Sequence, residues 1–306
     1  MFKKIKKVLA LLLTAIFFYS TQVLAQSETL KIYIPYSGGS ISDMTCRILF
    51  ENYSNDHKTK VSFLNYPSTN QIIGHREFIK STGPAVFCAG SGIVFNQVYE
   101  KNTTPALSTI RPVTNLLKFT NFILVPESSP NTFEGVVEEA RKKNKSLVIG
   151  APAFTSKFVL TYVLDQLGVK YKVILYNIPQ EAIGSLKDAS LDMYVDGGSI
   201  KQAGNITGIK EIAHASISNN ISKTQNLIEQ WPEIENVISQ TTIYSRAEVS
   251  DAEVEQLSNN IRQTLASSAM KEYFNKTVPF HSVTPTTPKQ TEEKIKKLLE
   301  FINAQQ

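Results

Sequence analysis

Residues 34–44 read IPYSGGSISDM. The apolar run LKIYI leads in, two adjacent glycines ringed by serines follow, and apolar residues then recur at helical spacing. That succession predicts a strand, a tight turn and a helix start. Gly38 and Gly39 allow positive φ and leave backbone N–H groups uncovered. Ser37, Ser40 and Ser42 add hydroxyls, and Ser40 and Asp43 stand at capping-box spacing. The first amides of the following helix carry a partial positive charge. Two readings of this turn stay open: a neutral cradle for an anion, or an ordinary strand-to-helix turn with glycines for close packing. The turn itself contains no Lys or Arg.

Outward from the turn the chain alternates. KVSFLNY, PAVFCAG, NFILVP, SLVIGAP, YKVILY, SLDMYVDGG and IKEIAHAS read as strands, with amphipathic stretches between most of them. The β-α alternation starts at Leu30 and restarts at Asn121, which predicts an α/β protein of two similar lobes, each a mostly parallel sheet flanked by helices. VISQTTIYSRA reads as extended. SDAEVEQLSNNIRQTLASS and TPKQTEEKIKKLLEFINA read as helices that pack back on the first lobe. The expected division is 26–122 with 238–306 for lobe 1 and 123–237 for lobe 2. Two chain crossings would then join the lobes, and ligand sites favour such junctions.

The second run contains a counterpart of the first turn. In LVIGAPAFTSKFVL, Gly150, Ala151 and Ala153 keep the backbone open, while Thr155 and Ser156 cap or donate. Two such turns at carboxyl ends of strands, one per lobe, would face each other across a cleft. The pairing favours the anion cradle.

The N-terminus, MFKKIKKVLALLLTAIFFYSTQVLAQS, has four lysines, an apolar run and the small-residue pattern VLA. It reads as a cleavable secretory signal with the cut after Ala25 and a periplasmic destination. The full chain has 32 Lys and Arg against 27 Asp and Glu. Removing the four lysines of the signal leaves 28 against 27, so the basic balance belongs to the signal and gives no case for nucleic acid. An exported chain meets an oxidising compartment, so a disulfide between Cys46 and Cys88 is open; the simpler reading is two small buried hydrophobes.

For catalysis the sequence offers four histidines: His57, His75, His214 and His281. None stands at metal-ligand spacing with another, and no G-x-S-x-G elbow is present. His57 reads as part of a solvated loop, His75 as a candidate for the cleft wall and His214 as a core residue. The reading is a receptor and not an enzyme, without a cofactor.

These motifs, taken in order, resemble the substrate-binding proteins of tripartite tricarboxylate transporters, the extracytoplasmic Bug receptors. IPYSGGSISD is similar to that family's VPFxPGGxxD. NYPSTNQIIG, residues 65–74, stands at the place of NRPGAGGxxG. VIGAPAFTSKFVL stands at the place of YGSxGxGSxxHL, and LYNIPQEAIGSLKDASLDMYVDGG follows VPYKGxxxAxxDLxGGxVDxxFD. The resemblance implies a Venus-flytrap fold that holds a small carboxylate between its lobes and passes it to a membrane permease. By the same likeness the ligand contacts fall on Ser37, Gly38, Gly39, Ser40 and Asp43, and on Ala151, Ala153, Thr155 and Ser156. Ser91 and Asp196 match pocket-lining positions more loosely. The departures are Ser37 for the turn proline, and Tyr66, Ser68, Asn70 and Gln71 for an arginine and three glycines. They leave the ligand open between a carboxylic acid and an amino acid. A monomer is expected. The rival readings are a ligand sensor without transport and a secreted hydrolase or lyase on the same fold.

Overall fold

The structure, a computed structural model, describes residues 28–305 apart from 101, 177, 203, 205, 206, 219 and 220. The segment read above as a secretory signal lies outside the described residues. Among the described residues no helix is long and apolar enough to cross a membrane.

Strands β1 (Leu30–Ile34), β2 (Val61–Asn65), β3 (Ala85–Gly90) and β4 (Ile110–Lys118) come first. Next are β5 (Asn121–Pro126), β6 (Leu147–Ala151), β7 (Tyr171–Leu175), β8 (Met193–Asp196), β9 (Ile209–Ala215) and β10 (Gln225–Asn226), and last β11 (Gln240–Arg246) and β12 (Ser282–Val283). They form two six-stranded sheets with orders β12-β4-β11-β3-β1-β2 and β10-β9-β5-β8-β6-β7. The chain is thus an α/β protein of two sheets with flanking helices.

Each sheet is mixed. β1 runs parallel to β2 and β3, while β11 lies antiparallel between β3 and β4. In the second sheet β6 runs parallel to β7 and β8, and β5 lies antiparallel between β8 and β9. The antiparallel members adjoin the segments where the chain passes between sheets. A strand that enters directly from the other lobe has no crossover helix to set it parallel.

β4 was not anticipated. Its sequence, IRPVTNLLK, contains a proline and the polar pair Thr114–Asn115, both fully buried. Its pairing with β11 shifts register twice, which accommodates Pro112. The helix Ser268–Thr277 was likewise unforeseen. The helices Asp251–Leu265 and Pro288–Ala304 start where Ser250 and Thr287 cap them, each with a full capping box. They bury Val254, Ile261, Leu265, Leu298 and Ile302.

The crossing segments are bound together: Phe119 N–H donates to Ser239 O at 2.8 Å. A third strand of chain braces them. Thr120 N–H donates to His281 Nδ1 at 3.2 Å, and Phe280 sets its ring edge-on to Phe122 with centroids 5.9 Å apart. Farther along, the helix Gly92–Tyr99 of the first lobe meets the helix Phe154–Gln166 of the second through Phe95–Phe158 and Tyr99–Phe154, at 5.0 and 6.2 Å. Aromatic contacts of this kind bury large apolar area with fixed geometry.

Cys46 and Cys88 are joined as a disulfide, with both residues fully buried and Cα atoms 6.6 Å apart. The bond ties the helix Ile41–His57 to β3 directly behind the glycine turn.

Candidate functional site

Parallel register sets the cleft. β1 and β2 end level, Ile34 opposite Asn65, so Asn65 lies beside the turn that follows β1. β6 and β7 also end level, Ala151 opposite Leu175, so Leu175 lies beside the second turn. The two turns border one cleft of about 460 Å³, lined by Pro35, Tyr36, Ser37, Pro67, Ser68, Asn70, Gln71, Gly92, Pro152, Ala153, Phe154, Thr155 and Leu175. Beyond Tyr36 a second hollow of about 450 Å³ is lined by Gly39, Ser40, Ile41, Ser42, Met44, Phe119 and Ser199. Neither lining contains a charged side chain.

In the first turn Gly39 adopts φ +83°, which a side chain disfavours. Ser40 caps the helix by accepting from Asp43 N–H at 3.2 Å. The reciprocal half of the capping box is displaced by one residue: the Asp43 carboxylate accepts from Gly39 N–H at 2.8 Å. Ser40 N–H in turn donates to Ser37 O. Asp43 is 1% exposed, and it also receives Arg47 Nε at 2.9 and 3.0 Å and Asn65 Nδ2 at 2.8 Å. Burial opposes its ionised form, but the hydrogen bonds from Arg47, Asn65 and Gly39 outweigh burial and hold its carboxyl below the usual range. Asn65 Nδ2 also donates to Tyr36 O at 3.0 Å. Asp43 therefore braces the turn from within, and Arg47 is its counter-ion one helical turn away. Of the first helical amides, Asp43 and Met44 reach Ser40, which leaves Ile41 and Ser42 open at the second hollow.

The second turn is built differently. Ala153 is the N-cap of the helix Phe154–Gln166 and supplies no side-chain cap. Lys157 N–H returns to Ala153 O, so the amides of Phe154, Thr155 and Ser156 have no intrahelical acceptor. Ala153 and Thr155 line the cleft. Three amides without an acceptor among the described residues, at the start of a 13-residue helix, favour an anion there without a cation.

The remaining site candidates fall in different places. Gly38 is exposed at the tip of its turn, and Ala151 is buried at the end of β6. Ser156 is buried in the first turn of its helix. Ser91 is 3% exposed and locks β3 to β11, accepting from Gln240 N–H at 3.1 Å. Asp196 is also buried. It accepts from Ser199 Oγ at 2.8 Å and Ile200 N–H at 3.0 Å, so it caps the short helix Ser199–Gln202. Burial pushes its carboxyl up against those hydrogen bonds.

His75 does not reach the cleft. It is fully buried with its ring 5.6 Å from that of Phe87, and burial pushes its imidazole down to about 4. His57 is not in a loop: it ends the helix that begins at Ile41 and lies against the ring of Tyr53. His214 pairs with Thr224 in the second lobe. Among the described residues no cluster of His, Cys, Asp or Glu is arranged to hold a metal.

Tyr36, Phe154, Leu175 and Phe119 were not foreseen as cleft residues, and the sequence left open whether the segment with Asn70 and Gln71 contributes; both of these line the cleft. Tyr36 stands between the two hollows with its hydroxyl against Gly90, where a Cβ would collide with it. Burial pushes that phenol up. The signal for Asn70 and Gln71 was in the sequence: two polar side chains where the similar motif has glycines.

No protein-family model matches the chain, and no curated protein matches it. Solved structures do. A TctC solute-binding protein from Polaromonas superposes with a TM-score of 0.72 at 17% identity, over 90% of this chain and 96% of that one. An R. palustris protein solved with adipate gives 0.73 at 16% identity, covering 90% and 95%. MatC from Rhodopseudomonas palustris with bound malate gives 0.69 at 11% identity, covering 90% and 98%. Two mixed sheets, joined by paired crossings and separated by a cleft at their strand ends, thus give this chain the fold of the periplasmic solute-binding proteins.

Proposed function

We propose that this protein is an extracytoplasmic solute receptor of the Bug and TctC type, which takes a small carboxylate between its lobes and delivers it to a membrane permease. One observation carries the reading: the uncapped helix start at Ala153–Ser156 opens on an uncharged cleft between two lobes. A receptor must release what it binds. Backbone amides hold a carboxylate without burying a cation, whose desolvation would be expensive. Proteins of the same fold carry adipate and malate, which supports an acid as the ligand here. In this reading lobe 1 is 26–122 with 238–306, lobe 2 is 123–237, and ligand selects the closed arrangement of the pair. The protein works as a periplasmic monomer after loss of its signal and performs no chemistry on its ligand.

The test is thermal unfolding of the exported protein, stripped of carried ligand by denaturation and oxidative refolding, against mono-, di- and tricarboxylates with amines as controls. A ligand present at 100 times its Kd stabilises by about 2.7 kcal/mol. A rise in Tm confined to carboxylates supports the receptor. No response to any acid sinks it.

A further inference from the structure

We propose that Gln71, seated by Asn70, is the specificity-determining residue of the cleft. Its side-chain Nε2–H donates to an oxygen of the ligand remote from the carboxylate held at Ala153–Ser156, and the cleft selects ammonium-free acids with an apolar body. This rests on the receptor reading above and names the ligand class within it.

The backbone gives the first sign. Asn70 and Gln71 adopt φ +57° and +66°, two adjacent non-glycine residues in the left-handed region. Glycine takes that conformation freely, and a side chain does not. One long-range bond and one local turn bond hold it: Asn96 Nδ2 donates to Asn70 O at 2.5 Å, and Gln71 N–H donates to Ser68 O at 3.1 Å. Strain of this kind collects at functional sites.

The side chain gives the second. Gln71 is 9% exposed, and its Oε1 accepts from Gly90 N–H at 2.7 Å. Because Gly90 N–H requires an acceptor, the orientation of the amide is fixed and Nε2 points the other way. There it sits 2.6 Å from where a Cβ on Gly92 would be, and Gly92 lines the same cleft. Among the described residues Nε2 has no acceptor. A donor pinned at the cleft wall with no protein acceptor is placed to meet an oxygen of the ligand.

The lining gives the third. Pro35, Pro67, Phe154 and Leu175 surround the space between Gln71 and the Phe154–Gln166 helix start. No acidic side chain lines it, and the buried carboxylates of Asp43 and Asp196 are occupied by internal donors. An ammonium group would enter without a partner. Of the two ligand classes left open by the sequence, the amino acid is therefore disfavoured.

The experiment compares wild type, Gln71→Gly and Gln71→Glu. Each is titrated with adipate, malate, benzoate and aspartate, with Tm and Kd as readouts. Gln71→Gly relieves the left-handed strain but removes the acceptor of Gly90 N–H, two effects of opposite sign, so its ligand-free Tm should stay close to that of wild type. Its affinity for the best two-ended acid should fall at least tenfold, with benzoate affinity unchanged. Gln71→Glu keeps an oxygen for Gly90 N–H and replaces the donor with an anion, so it should lose the two-ended acids more completely. Aspartate should bind worst to wild type. The proposal is overturned if both variants bind the best acid within twofold of wild type, or if aspartate is the preferred ligand. A wild type that responds to no acid brings down the receptor reading and this inference together, whereas unaltered variants bring down only the inference.

Discussion

The two cleft turns resemble each other in sequence and differ in wiring. The first, Ser37 to Asp43, is braced from three sides. Asp43 takes Gly39 N–H, Arg47 and Asn65; Tyr36 packs on Gly90; and the Cys46–Cys88 disulfide clamps the following helix to β3. The second, Ala151 to Ser156, has no side-chain cap, and no disulfide reaches it. A turn that satisfies its own amides is rigid but offers fewer donors. A turn that leaves them open offers more donors and has less to hold it. On the proposed function the first lobe would supply shape and the second the anion site, a division that two similar glycine- and alanine-rich motifs do not announce.

The largest expected effect comes from unclamping the first turn. The disulfide closes a loop with a sequence separation of 42 residues. Chain-entropy arguments put the stabilisation from such a loop at about 4 kcal/mol. Replacing both cysteines by serine should lower chemical-denaturation stability by that order and leave ligand affinity nearly intact, because the amides proposed to hold the carboxylate, Phe154 to Ser156, lie on the other lobe. An affinity loss as large as the stability loss would mean that the first turn, and not the second, dominates binding.

A smaller effect is expected from Asp43→Ala. It strands Gly39 N–H, takes one of two acceptors from Asn65 Nδ2 and removes the carboxylate partner of the partly exposed Arg47, and should cost about 2 kcal/mol. Asp43 titrates below its unfolded range, so its contribution is present above about pH 4 and is lost as pH falls through its folded pKa. Wild type should therefore show an acid-unfolding component in that window that the variant lacks. If the two acid profiles run parallel, the carboxylate is not the brace.

The smallest change in stability is the most telling about function. Ala153→Asp places a capping carboxylate on the open amides of the second turn. The helix gains a cap worth about 1 kcal/mol, so ligand-free stability should rise. The same carboxylate competes with the ligand, so affinity for acids should drop at least tenfold. A variant that is stabilised yet binds acids as before would move the anion site to Ile41–Ser42 and reverse the comparison.

Much of this architecture was legible in the sequence. The strands at Leu30, Ala85, Asn121 and Leu147 and the helices capped by Thr132, Ser250 and Thr287 announce themselves by local period and cap chemistry. The strand Ile110–Lys118 did not, because its proline and its buried Thr114 and Asn115 break the period. Its place is fixed by β11, more than a hundred residues away.

For the candidate site, the sequence brought forward two turns that border the cleft but not the state of their atoms. Local spacing identified Ser37–Asp43 and Ala151–Ser156 as the cleft turns. It could not show that Asp43 and Asp196 are saturated, that Ser91 is a strand lock, or that His75 is walled in by Phe87. Nor could it show that Cys46 meets Cys88. Gly and Ala spacing, caps and apolar periodicity are properties of neighbours along the chain, and one sequence contains them in full. Which amide is free, which donor lacks an acceptor and which carboxylate is already neutralised depend on groups brought within about 3 Å from distant parts of the chain. Only the packed tertiary structure decides those.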